Sequence, residues 1–139
     1  MPAAFKWRLR VRYSDTDISG RAHYSAMFRF MEAAEDEFLR SLGLPYAAVE
    51  KAKSVSFPRV HVEAQFVAPL RYDDVVDMEV TVERVGETAF TLYFDASKDG
   101  EAVARGRVTA VCVSVETDRP VLLPGELAEA LRRAMGRED

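Results

Sequence analysis

The sequence predicts an α+β domain in which one long helix lies against a curved antiparallel sheet of about five strands. Three observations predict it. One stretch only, Ser25 to Leu42, carries a sustained run of apolar residues at the helical period. From Ser54 onward the period changes to two, and the strands follow one another through short connections, which makes them antiparallel neighbours. A chain of 139 residues, 48% of them hydrophobic, can bury one sizeable core, so residues 1–139 are read as a single domain.

The elements follow in order. From Phe5 to Tyr13, Leu9, Val11 and Tyr13 alternate with Arg8, Arg10 and Arg12, which predicts a strand with one wet face. Asp15-Thr16-Asp17-Ile18-Ser19-Gly20 is a loop of short polar residues closed by a glycine. The long helix then has Ser25 as N-cap and Met27, Phe30, Met31, Ala34, Phe38 and Leu42 as its apolar stripe. Arg29, Glu32, Glu35, Asp36 and Arg40 fall mostly elsewhere on the circumference, and Gly43 ends the helix with Pro45 after it. Phe28, Ala33 and Leu39 widen the apolar face, so the helix is expected to be wrapped by sheet. Tyr46 to Lys53 predicts a short helical turn. Val60, Val62, Ala64 and Phe66 form an apolar row ending before Pro69. Val76 to Val82 alternates with Asp77, Glu79, Thr81 and Glu83, and Phe90, Leu92 and Phe94 alternate likewise. Asp99-Gly100 marks a hairpin. Val103 to Val115 reads as a final long strand, and Pro124 to Met135 as a terminal helix. Several long strands leave edges that a second copy would cover, which predicts a homodimer.

The net charge of −4 points to neither nucleic acid nor an anionic membrane as main partner. No apolar run approaches a bilayer span, and the amino-terminal stretch Met1 to Arg8 is charged early, so a cytoplasmic protein is expected. Cys112 is the single cysteine and sits in the apolar run Ala110 to Val113, as a buried small hydrophobe would. Two distant histidines, His23 and His61, give no metal signature. His61 falls in a wet row with Arg59 and Glu63 and reads as structural or interfacial.

The chemistry concentrates in Asp15 to Tyr24. A carboxylate precedes a helix start whose first N–H groups have no intrahelical partner and whose dipole end is positive. Gly20 permits a tight turn or a close approach of backbone to ligand. Acyl transfer needs this pairing of a base or nucleophile with donors aimed at a developing oxyanion. Aspartates before helices also cap turns, so residue type alone does not assign the role. A calcium loop is excluded, because Asp15, Asp17, Ser19 and Gly20 match its first half but Ala26 stands where the bidentate glutamate belongs.

Tyr13-Ser14-Asp15-Thr16-Asp17-Ile18-Ser19-Gly20, then His23-Tyr24 and Phe30-Met31-Glu32-Ala33-Ala34, resembles the 4-hydroxybenzoyl-CoA thioesterase family and related bacterial acyl-CoA thioesterases. Ala68 to Asp74, Arg84 to Phe90 and Val111 to Val113 extend the resemblance over most of Phe5 to Pro124. It implies a hotdog fold and dimers that often pair into tetramers, with active sites between subunits. It implies hydrolysis of an acyl-CoA without metal or redox cofactor. It carries the catalytic carboxylate onto Asp17, as general base or nucleophile, and the oxyanion donor onto the Tyr24 backbone amide. The sequence departs from many relatives in Arg21-Ala22 after the glycine, in adjacent His23 and Tyr24, and in Met27-Phe28 where tyrosine is frequent. A different pocket near the helix start is therefore expected.

His23 is a candidate for orienting water, carboxylate or substrate, and Asp15 for holding the turn. Glu32 and Glu35 are reserve carboxylates, since some hotdog enzymes place theirs on the central helix. Gly20 and Met27 are candidates for contacting the acyl group. Arg21, Lys51, Lys53, Arg59 and Arg71 could meet the CoA phosphates, and Arg59 and Arg71 are preferred. Two other readings stand beside hydrolysis: a silent hotdog dimer that binds acyl-CoA or an acyl-carrier protein, and a hotdog hydratase or dehydratase using His23.

Overall fold

A computed structural model describes residues 4–136; Met1 to Ala3, the start of the charged amino-terminal stretch, and the last three residues lie outside it. Strand β1 (Phe5–Arg10) leads through a 3₁₀ turn (Tyr13–Asp15) to helix α1 (Ala26–Ser41) and then helix α2 (Tyr46–Lys53). Strands β2 (Val55–Ser56), β3 (Arg59–Phe66), β4 (Val75–Val85), β5 (Ala89–Lys98), β6 (Glu101–Val111) and β7 (Val113–Ser114) follow, and α3 (Gly125–Ala134) comes last. The main sheet has the order β1-β4-β5-β6-β3, antiparallel throughout, and β2 pairs separately with β7. The predicted α+β arrangement is therefore found. The central meander β4-β5-β6 is made by short hairpins. The two edges are strands from earlier in the chain.

The meander buries one face. Val76, Met78, Val80 and Val82 of β4 point inward with Phe90, Leu92 and Phe94 of β5 and Val108 and Ala110 of β6. The opposite face carries cross-strand ion pairs, Arg8 with Asp77 and Arg107 with Glu83, both solvated and worth little individually. Helix α1 covers the inner face with Ala26, Met27, Phe30, Met31, Ala34, Phe38 and Leu39. Its end forms the paired-bond stop that a glycine allows: Gly43 donates to the Arg40 carbonyl and Leu44 to that of Leu39, with Gly43 at φ 78°. Asp99 and Gly100 both take positive φ, 50° and 82°, in the β5-β6 hairpin.

Several sequence expectations need correction. The first strand stops at Arg10, because Val11 exchanges hydrogen bonds with Asp73 and Asp74 and the chain then turns; Tyr13 is exposed. Ser25 precedes α1 but does not cap it, since its own backbone is already helical and its hydroxyl bonds His23. The last long strand breaks at Cys112, whose N–H donates to the Thr88 carbonyl. Val60, Val62 and Phe66 form no buried row, and lie exposed on the edge strand β3.

Glu35 is the largest departure. The helical period sets it off the apolar stripe of α1, yet only 1% of it is exposed. Arg59 Nη2 donates to Glu35 Oε2 at 2.5 Å, the Tyr46 hydroxyl donates to the same oxygen, and the guanidinium stacks on the Tyr46 ring at 4.9 Å. Burial holds the Glu35 carboxyl above its ordinary range, against the opposing charge of Arg59 and the Tyr46 hydrogen bond.

Where α1 crosses the sheet, β6 has a glycine. A Cβ on Gly106 would stand 2.7 Å from Met31 Cε, 2.9 Å from its Sδ and 2.7 Å from the Glu63 carbonyl oxygen. The thioether can move, but the carbonyl belongs to the β3 backbone. Gly106→Ala is expected to destabilise by about 1–3 kcal/mol, as overpacking of a filled core does. Urea midpoints would read the loss, and an unchanged midpoint would show that helix and sheet separate freely here.

Candidate active site

The site is built where the loop before α1 is laced to two other segments. Asp15 is buried and holds the turn. Its Oδ2 accepts the Arg12 N–H at 2.8 Å, its Oδ1 accepts from Arg29 at 3.1 Å, and its carbonyl accepts the His23 N–H at 2.7 Å. Beyond it the chain makes a small hairpin, with Thr16 opposite Ala22 and the Asp17 N–H donating to the Arg21 carbonyl at 3.0 Å. Gly20 closes the turn by donating to the Asp17 carbonyl, and its φ of 81° is why a glycine stands there. The returning strand is clipped to the segment before β4. Arg21 lies opposite Arg71, and Ala22 donates to the Leu70 carbonyl at 2.7 Å.

Asp17 sits at the exposed tip of this hairpin. Its Oδ1 accepts from the Ser19 hydroxyl and, at 2.8 Å, from the Ser19 N–H. These bonds, the hydroxyl first, hold the carboxyl below its ordinary range, and Arg21 adds positive potential from nearby. Asp17 is thus an anion across the neutral range. Sequence reading passed over Ser19 as the partner. The Asp-x-Ser spacing, which lets a side chain bond the backbone two residues on, was the available signal.

At the helix start, His23 Nδ1 accepts the Ser25 N–H at 3.2 Å and lies 2.9 Å from the Ser25 hydroxyl. A neutral imidazole so held carries its proton on Nε2. The His23 ring packs on that of Tyr24 with centroids 4.3 Å apart. The Tyr24 N–H, between the bonded amides of His23 and Ser25, donates to no acceptor among the described residues. It is an orphan donor at a positive helix end.

A cleft of about 340 Å³ opens beside it, lined among others by His23, Tyr24, Met27, Phe66 and Leu70. Of the sequence candidates, His23, Tyr24 and Met27 line this cleft, as does Arg21. Asp17 and Gly20 stand on the adjoining hairpin and Arg71 on its clipped partner. Arg59 lies elsewhere, bound to Glu35, and Arg71 is not itself a lining residue, although it stands opposite Arg21 and directly after the lining residue Leu70. Glu32 is exposed on the outer side of α1. Phe30, Phe66, Val67 and Leu70 are cleft walls that the sequence reading did not single out. Among the described residues, no three His, Cys, Asp or Glu side chains gather as metal ligands would, and no helix is long and apolar enough to cross a membrane.

A long helix wrapped by a five-stranded antiparallel sheet, with a carboxylate loop at its start, defines a hotdog-type thioesterase. The chain belongs to the thioesterase-like superfamily, whose family model matches residues 11–131. A hypothetical protein of Aquifex aeolicus superposes with a TM-score of 0.86 at 31% identity, over 91% of this chain and 98% of that one. A gentisyl-coenzyme A thioesterase superposes with a TM-score of 0.83 at 27% identity, over 91% and 99% of the two chains. A 1,4-dihydroxy-2-naphthoyl-CoA hydrolase of Synechococcus sp. (strain WH7803) is 28% identical over 133 residues, 91% of this chain and 87% of its own length.

Proposed function

We propose that this chain hydrolyses an acyl-CoA thioester to a free acid and CoA, with Asp17 and the Tyr24 amide as its machinery. The Tyr24 N–H, without an acceptor among the described residues at a residue that lines the cleft, with the Asp17 carboxylate on the adjoining hairpin, is the observation that carries the assignment. Membership of the thioesterase-like superfamily supports this, and two of the relatives named above are a 1,4-dihydroxy-2-naphthoyl-CoA hydrolase and a gentisyl-coenzyme A thioesterase.

The thioester carbonyl oxygen points at the Tyr24 N–H and the acyl group lies against Met27 and Phe30. Asp17 takes a proton from water as the water oxygen bonds the carbonyl carbon, or bonds that carbon itself. The carbonyl π electrons move onto oxygen, where the amide and the helix dipole hold them. Collapse expels CoA as its thiolate, which is then protonated. The direct route leaves an acyl-aspartyl anhydride that water opens. His23 Nε2–H is placed to orient the water or the substrate. The atoms balance without metal or redox cofactor.

A second copy of the chain belongs to this reading. Val60 and Phe66 on the edge strand and Ile18 at the hairpin tip are more than half exposed, and Phe66 and Val67 lead straight into the cleft. Pairing along β3 would cover these side chains and the open backbone edge together. A dimer, or a pair of dimers, acting on cytoplasmic acyl-CoA fits these surfaces.

The test is release of free thiol from a panel of aromatic and short to long aliphatic acyl-CoAs, with sedimentation of the same samples. Turnover of at least one member by a dimer or tetramer is expected. A dimer that binds CoA esters without releasing thiol would turn the assignment to a binding protein.

A further inference from the structure

We infer that Arg21 and Arg71 together form a clamp for the phosphates of CoA at the mouth of the acyl cleft. The inference rests on the acyl-CoA reading of the site. The two residues face each other across an isolated antiparallel bridge. Directly opposed residues send their side chains to the same side, with Cβ atoms roughly 4.5–5.5 Å apart, and like charges so placed repel. Such a pair is commonly neutralised by a carboxylate. Here neither guanidinium makes a hydrogen bond or ion pair among the described residues.

The nearby carboxylates of Asp17 and Asp74 feel these two charges but accept their hydrogen bonds from other donors. Asp74 accepts from Lys98 Nζ at 2.8 Å and from the Arg71 backbone N–H at 2.8 Å. Asp17 is held by Ser19. The two arginines are exposed on stiff backbone: Ala22 donates to the Leu70 carbonyl, and the Asp74 N–H returns to the Arg71 carbonyl at 3.1 Å. Arg21 lines the cleft, as do Pro69 and Leu70, the residues just before Arg71. Ten N–H donors thus stand on a bridge that adjoins the cleft, with no hydrogen-bond acceptor among the described residues, against a substrate whose far end carries three phosphates. Guanidinium forks match phosphate oxygens in pairs, which a lysine ammonium does not. The chain has a net charge of −4, so an anionic substrate needs such a local positive pair to approach.

The experiment is calorimetric titration of the full-length protein with CoA and with pantetheine, which lacks all three phosphates. Arg71→Gln is expected to weaken CoA binding about 10-fold and Arg21→Gln/Arg71→Gln about 100-fold, the scale of one and two charge-assisted contacts. Pantetheine binding should fall by less than a third of that factor. The double lysine variant should recover only part of the CoA affinity, because it keeps charge and loses the fork. In turnover, kcat/KM should fall at least 10-fold more for acyl-CoA than for the matching acyl-pantetheine.

Equal losses for CoA and pantetheine would make the arginines structural and overturn the clamp. So would wild-type CoA affinity in the double glutamine variant, including the case in which only its association state changes and the arginines face a second copy. Because CoA binding is read without turnover, the two readings fail separately. A wild type that binds CoA through these arginines and hydrolyses nothing sinks the hydrolase and leaves the clamp.

Discussion

Asp17→Asn is expected to lower kcat on the best acyl-CoA by roughly 10²–10⁴, the range a positioned base or nucleophile supplies. The substitution preserves volume and both Ser19 hydrogen bonds can be remade through the amide oxygen, so fold and association should not change. It removes what the proposed mechanism asks of this residue, a negative charge at the hairpin tip. The Tyr24 amide is untouched, so some catalysis over water should survive. The pH profile gives the second readout. Because Ser19 holds the Asp17 carboxyl below its ordinary range, the acid limb of kcat/KM should lie below the range in which a free aspartate titrates. Ser19→Ala removes the largest cause of that shift, and the limb should move to higher pH. Full activity in Asp17→Asn would discard the assignment, and an acid limb indifferent to Ser19 would detach it from Asp17.

Arg59→Met is expected to destabilise strongly for a side chain that reaches solvent. Glu35 is nearly inaccessible, and Arg59 is its only ion-pair partner among the described residues. Methionine keeps much of the stem packing over Tyr46 and removes the charge. Leaving one member of a buried pair uncompensated typically costs about 3–5 kcal/mol, a large part of the roughly 5–15 kcal/mol that stabilises a domain. The sign with pH follows from the Glu35 carboxyl. Its folded pKa is raised by burial, so its contribution is complete below the range of a free glutamate and is lost as pH rises through the folded value. Without Arg59 that value climbs further. The deficit of the variant should therefore be small in mild acid, where Glu35 takes a proton, and largest at neutral pH and above. Urea midpoints at pH 5 and pH 8 would show it, and a loss equal at both would mean that the charge of Glu35 is not the cause. Adding Glu35→Gln to Arg59→Met should recover stability mainly at the higher pH.

Local signals in the sequence located the elements well. Gly43 after the last apolar residue, Asp99-Gly100 between two alternating runs, and the stripe from Met27 to Leu42 each act within a few residues, and the structure realises each. What escaped depends on distant partners. Alternation on β3 says that one row is apolar, and is silent on whether the chain itself covers that row. Glu35 looked like any helix charge, because its burial is made by Tyr46 and Arg59, eleven and twenty-four residues on. The edge positions of β1 and β3 are set by pairing with strands much later in the chain. In the proposed site, Asp17 and the helix start were legible as a pattern, and the family likeness supplied their roles. The cleft walls Phe66 and Leu70 were not, since they are brought to the helix start by contacts between segments more than forty residues apart in sequence, such as the Ala22 bond to the Leu70 carbonyl.

The strand order also bears on how the molecule comes into being. Only β4, β5 and β6 pair with sequence neighbours, and they lie between residues 75 and 111. The hairpin bearing Asp17 and the helix beneath it leave the ribosome first, yet they have no surface to rest on until that meander exists. For most of synthesis the apolar side of α1 is therefore a nascent amphipathic segment awaiting its platform. A chain halted before residue 111 would present that segment to chaperones as an unfinished client, its helix made and its platform missing.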